Sequence, residues 1–156
     1  MRRGVLCAGL LGGVLLQGCK VSAPGRMETA LMNGAKHHVF VGNRKQLNPI
    51  ASRAQSVADG KEAFSHYRVA CHGLDGQNTG VPFADHMAPP VPSLKSAQVQ
   101  SYTDGQLKWV IDNGIAPSGM PSARGILSDD EQWAIVVYLR HLPTAGSLGE
   151  PAMYGN

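Results

Sequence analysis

The sequence predicts an all-α domain of three main helices packed around a loop-rich middle. Three observations carry that expectation. Apolar residues recur at helical spacing in three separate stretches, no stretch of useful length alternates as a strand does, and many glycines and prolines gather between the first stretch and the second. At 156 residues, with 43% apolar and 16% charged residues, the chain suits one globular domain with extensions and is too short for a multi-domain enzyme.

The first helix is expected from Gln55 to about Val69. Val57, Ala58, Phe64 and Val69 form its apolar stripe, and Asp59, Lys61 and Glu62 its wet face. Gly60 inside it costs about 1 kcal/mol against alanine, a cost that close approach of another helix would justify. The second helix is expected from Thr103 to Asn113. Thr103 or Asp104 caps its start, Leu107, Val110 and Ile111 form its buried face, and Asn113-Gly114 ends it. The third begins at Ser128, where Glu131 completes a capping box and Asp129 and Asp130 suit the positive helix end. Trp133 and the run Ile135 to Leu139 give it a thick apolar face, and Arg140, His141 and Pro143 close it. Ile135 and Tyr138 are the expected partners of Gly60 and Phe64.

Between the first two helices stand Gly73, Gly76, Gly80, Pro82, Pro89, Pro90 and Pro92. So many breakers in a small domain suggest a loop wrapped around something other than protein.

The ends of the chain read differently. Residues 1–18 have the pattern of an export signal: Arg2 and Arg3, then an apolar run of 15 residues from Gly4 to Gly18. That run falls short of the about 20 residues a membrane helix needs. Leu16-Gln17-Gly18-Cys19 resembles a bacterial lipoprotein signal, which makes Cys19 a lipidation site and places the domain outside the cytoplasm on a membrane surface. Residues 19–57 read as a tether, with Val39-Phe40-Val41 either a short strand or a patch docking on the domain, and His37-His38 as solvated tail. Residues 144–156 read as an irregular tail. Setting Arg2 and Arg3 aside leaves 12 basic against 11 acidic residues, a balance that argues against a nucleic-acid partner. Of three cysteines, Cys7 lies in the leader, so the count excludes a disulfide scaffold and a four-cysteine zinc site.

The chemistry concentrates at Arg68-Val69-Ala70-Cys71-His72-Gly73. Haem attachment uses Cys-x-x-Cys-His; here Arg68 stands at the first cysteine position. The order Gly60-Lys61-Glu62-Ala63-Phe64, Cys71-His72-Gly73-Leu74-Asp75-Gly76, Gly119-Met120-Pro121 and Asp129-Asp130-Glu131 through Tyr138-Leu139-Arg140 closely resembles class I (monohaem) cytochrome c, of lipoprotein type, over residues 58–143. The resemblance implies a cytochrome c-like fold around one haem c, held by a single thioether through Cys71, with His72 and Met120 as axial ligands. It also implies a backbone carbonyl near Pro82 as acceptor for the second His72 nitrogen.

A thioether on the iron favours the reduced state, and the breakers Pro117, Gly119 and Pro121 hold Met120 on a loop. Met87 is the competing sulfur and reads as loop surface. His66 is a reserve ligand; His86 and His141 read as solvent-facing, and Trp109 and Tyr102 as haem-edge or core residues. The implied function is that of a membrane-tethered one-electron carrier rather than an enzyme. Its expected partners are redox proteins: a respiratory oxidase, a quinol-oxidising complex or a periplasmic dehydrogenase. The alternatives are a haem-based sensor or peroxidase with an open sixth position, and a cytochrome-fold lipoprotein that has lost its haem.

Overall fold

A computed structural model describes residues 41–87 and 89–155, together with Gly25 and Met27. The leader, Cys19, His37 and His38 lie outside the described residues. Among those described, the regular elements are all helical. They are α1 (Ala54–Tyr67), α2 (Val69–His72), α3 (Ala97–Gln100), α4 (Asp104–Asn113) and α5 (Asp129–Leu139), with short 3-10 turns at Ala84–His86 and Ala116–Ser118. The only pairing of extended backbone among them is an isolated antiparallel bridge between Ile115 and Met120. None of these helices is long and apolar enough to cross a membrane.

The expected first helix is split in two. α1 ends at Arg68, whose φ of −122° leaves the helical region, and α2 carries Val69 to His72 as a separate short helix. The buried stripe of α1 runs through Gly60, Ala63 and Phe64, with Val57 half-buried. Ala58, expected in that stripe, is exposed, because it sits one residue, about 100°, off the face that Val57, Gly60 and Phe64 share.

α1 and α5 form the framework. A Cβ on Gly60 would lie 2.0 Å from the Ala134 carbonyl oxygen and 3.0 Å from the Tyr138 Cβ, so only glycine lets the two backbones meet. One turn on, the rings of Phe64 and Tyr138 pack with centroids 5.3 Å apart. Every residue of α5 from Gln132 to Leu139 is buried, and Trp133, Ile135 and Val136 are almost wholly excluded from solvent. Burial of an apolar side chain of that size is worth about 1.5–3 kcal/mol. This helix is therefore the keel of the core.

Capping fixes where the helices start. Thr103 and Gln106 form a capping box on α4, and Ser128 and Glu131 form the expected one on α5. Arg140 then ties the end of α5 to the start of α4 through Asp104 Oδ1 at 2.8 Å and the carbonyls of Tyr102 and Gln100 at 2.6 and 3.0 Å.

Residues 41–50 pack on the domain rather than trailing from it. Val41 is buried, Gln106 Nε2 donates to the Gly42 carbonyl at 2.7 Å, and Asn48 Nδ2 donates to the Trp133 carbonyl at 3.0 Å. The Arg44 guanidinium lies 4.9 Å from the centre of the Trp109 ring, so Trp109 serves this N-terminal contact.

Candidate functional site

Arg68, Cys71 and His72 occupy one helical turn at the junction of α1 and α2. The cysteine is a free, half-buried thiol. The imidazole beside it is buried, with 7% of its surface exposed. Burial, then the positive charge of Arg68, pushes the His72 pKa down to about 4, opposed by the Pro92 carbonyl. At neutral pH the ring is therefore neutral and keeps a nitrogen lone pair for a metal. The carbonyl acting on the ring belongs to Pro92, ten residues beyond the expected region of Pro82. Pro92 reaches the ring because the chain from Val81 to Val91 folds back on itself: Asn78 Nδ2 donates to the Val91 carbonyl at 2.7 Å and Val91 N to the Ala84 carbonyl at 2.9 Å. Even so, Nδ1 is buried without a hydrogen bond of ordinary geometry.

Arg68 is buried as well, with 7% of its surface exposed. Its Nη2 donates to the Ile111 carbonyl at 3.4 Å, and its Nε has no partner. No carboxylate among the described residues lies within ion-pair distance of it. Burial lowers its pKa, opposed by Cys71. A guanidinium in that position carries an uncompensated cost.

The loop from Gly73 to Gly80 is organised by Asp75, which is wholly buried. Its carboxylate accepts from the Gln77 amide at 2.8 Å, the Thr79 hydroxyl at 2.6 Å and the Gly146 amide at 2.7 Å. Burial pushes its pKa up, and these three donors outweigh burial to hold it below the usual aspartate value. Asn78 adopts a φ of +65° and donates its amide to the His72 carbonyl at 2.8 Å, which closes the loop on the imidazole. Sequence reasoning assigned no role to Asp75, Asn78 or Pro92. The turn residues were visible, but their hydrogen bonds reach across the chain.

Met120 sits half-buried on the loop after α4. The Ile115 amide donates to its carbonyl at 3.0 Å. A Cβ on Gly114 would lie 2.4 Å from that same carbonyl, so the loop closes only over a glycine at φ +68°. At its far end the Ala123 amide donates to the Ile111 carbonyl at 3.0 Å, the acceptor that Arg68 also reaches. The methionine loop and the Cys71-His72 turn thus converge on Ile111. Met87 is half-buried rather than plain loop surface, and its methyl lies 3.4 Å from where a side chain on Gly119 would begin. Met87 therefore borders the loop that carries Met120. His66 and His86 are exposed; His141 is also exposed and hydrogen-bonded to Ser52 and the Val137 carbonyl. Among the described residues no three His, Cys, Asp or Glu side chains gather as a metal cluster.

Comparison with known proteins gives this arrangement its class. The family described as cytochrome C oxidase, cbb3-type, subunit III matches residues 55–139, more than half of the chain. A search of curated proteins gives no significant match. Among solved structures, a chain of the Kuenenia stuttgartiensis reducing HAO-like protein complex superposes with a TM-score of 0.50 at 21% identity. The match covers 60% of this chain and 46% of that one, so this chain spans about half of its neighbour's length, and the likeness speaks for the fold alone.

The protein carries a c-type cytochrome domain. It belongs to the cbb3-type cytochrome c oxidase subunit III family. The family implies covalently bound haem c, and the residues present fit such a group. A free thiol stands next to a buried, neutral imidazole whose Nδ1 hydrogen bond is incomplete, and Arg68 stands three residues before that thiol.

Proposed function

We propose that the protein is a lipid-anchored, extracytoplasmic carrier of single electrons with one haem c. Cys71 would hold the haem by a single thioether, and His72 and Met120 would be the protein ligands of its iron. When bound, the haem supplies an iron centre that changes oxidation state by one electron. Cys71 supplies the tether, the loop around Asp75 and Asn78 holds His72, and the loop closed at Gly114 presents Met120. Two protein ligands leave no position for substrate, which suits electron transfer rather than catalysis. The leader and Leu16-Gln17-Gly18-Cys19 support lipidation of Cys19 and a position on the outer side of a membrane. Tethering there would raise the local concentration of partners in the same membrane, whether a respiratory oxidase, a quinol-oxidising complex or a dehydrogenase.

The observation that carries this reading is the neutral, buried His72 beside the free Cys71 thiol. The test is a visible spectrum of the full-length protein, oxidised and reduced, followed by Met120→Ala. The substitution is expected to abolish the sulfur-to-iron charge-transfer band, lower the potential and admit carbon monoxide. A band and potential that survive it transfer the role to Met87.

The burial of Arg68 favours one other reading, that of a cytochrome fold without haem. Protein matured alongside a competent attachment system and lacking a Soret band would establish it.

A further inference from the structure

The chain beyond α5 lies outside the residues that match the family, which end at 139. Its described residues form no helix, yet they grip the attachment segment at point after point. Leu142 packs on Gly76, so closely that a Cβ there would come within 2.9 Å of its methyl group. The Pro143 carbonyl accepts from Gln77 Nε2 at 2.9 Å and Lys95 Nζ at 3.0 Å. The Gly146 amide is one of the three donors to Asp75. Glu150 lies against Gly80, its Cβ 2.5 Å from where a side chain would start, and Pro151 is wholly buried. Finally, the Tyr154 ring meets Phe83 edge to face at 6.0 Å, and its hydroxyl donates to the Ala70 carbonyl at 2.7 Å, one residue before Cys71.

These contacts fall at residues 70, 75, 76, 77, 80 and 83, which bracket Cys71 and His72 on both sides. Two thioethers would pin such a segment to its haem at both ends of one helical turn. One thioether leaves the backbone before Cys71 free to open, because local opening has to break only the interactions of that segment. A strap outside the segment supplies the missing restraint by non-covalent means.

We propose that the C-terminal strap, Leu142 to Tyr154, is the second anchor of the attachment segment, holding Cys71 and His72 in place for the haem where Arg68 has removed the other tether. Tyr154 is its terminal positioning residue. The inference rests on the haem reading above.

The test crosses the strap with the missing cysteine. Full-length protein and the variants Tyr154→Ala and a chain ended after Thr144 are produced with a competent attachment system, each with Arg68 and with Arg68→Cys. Haem that resists acid–acetone extraction is counted per chain. Loss of the strap is expected to lower that count about fivefold with Arg68 in place and less than about twofold with Arg68→Cys, because a second thioether replaces what the strap did. Hydrogen exchange at the Asn78 and Val81 amides is expected to quicken about tenfold in Tyr154→Ala, with the amides of α1 and α5 unchanged. Equal losses in both backgrounds, or unaltered exchange at Asn78 and Val81, overturn the proposal; the second also decides the case should the shortened chain fail to fold. If wild-type protein holds no covalent haem, the haem reading fails. The strap is then judged by the alkylation rate of the Cys71 thiol: faster reaction in Tyr154→Ala upholds the grip on the segment, and an unchanged rate refutes it.

Discussion

The framework of α1 and α5 and the segment from Arg68 to Pro92 are stabilised by opposite means. Between the two helices the contact is almost entirely apolar, set by a glycine at the closest approach and by interlocked Phe64 and Tyr138. In the segment, buried polar groups organise the chain. Asp75 is fully satisfied, while Arg68 and His72 are buried with hydrogen-bonding atoms unused. The difference teaches where the chain has given up stability. A framework built on shape tolerates little change in volume, and a site built on incomplete polar groups holds free energy in reserve for a ligand.

Gly60→Ala tests the framework and carries the largest expected effect. The added methyl would meet the Ala134 carbonyl at 2.0 Å, backbone against backbone, with no flexible side chain to yield. The helices must separate, and overpacking of this kind costs about 3 kcal/mol or more. Thermal denaturation should show the midpoint falling by more than about 10 °C. A fall of only a degree or two would mean that the α1–α5 contact is looser than its geometry.

Asp75→Asn comes next, in the polar segment. Asparagine offers one acceptor oxygen where the carboxylate offers two, so either the Gln77 amide at Oδ1 or both the Thr79 hydroxyl and the Gly146 amide at Oδ2 lose their acceptor, at a cost of about 1–3 kcal/mol. The wild type also carries a pH signature. Because the three donors hold the folded pKa below the usual aspartate value of 3.8, the carboxylate contributes its full stability above that value. The contribution is lost as pH falls from there through the folded pKa. Denaturant titrations from pH 6 to pH 2 should show a steeper acid loss in wild type than in Asp75→Asn. Parallel curves would remove Asp75 from its place as organiser of the loop.

How much of this was legible in the sequence follows the same division. The spacing of Gly60, Phe64 and Tyr138 and the Ser128–Glu131 capping box announce the framework, because helix pairing and capping are local and periodic. Cys71-His72 and Met120 stand out by residue type and order. The hydrogen-bond partners do not. Pro92 replaces the region of Pro82 at the His72 ring because the Val81–Val91 chain folds back through Asn78, a contact with no local pattern. Docking is one of the two readings of Val39-Phe40-Val41, but residues 42–50 and the strap past Leu142 read as irregular chain for the same reason: each is held by partners far away in sequence, such as Trp133 for Asn48 or Ala70 for Tyr154.

Arg68→Met has the smallest expected effect and the most informative sign. Methionine matches the length of the buried stem and removes the charge. The guanidinium makes one long bond to the Ile111 carbonyl and leaves Nε unpaired, so its removal forfeits little, and replacing a buried charge with an apolar side chain of similar volume is often neutral or stabilising. Arg68→Ala removes the charge together with the packed stem and leaves a cavity. In haem-free protein the expected order of stability is therefore methionine equal to or above arginine, and both above alanine. The gap between methionine and arginine should be about 1 kcal/mol or less. Chemical denaturation of the three chains under one buffer condition measures it. If methionine falls clearly below arginine, the guanidinium has a stabilising partner, and the contrast between a satisfied framework and an unsatisfied site fails at its central residue.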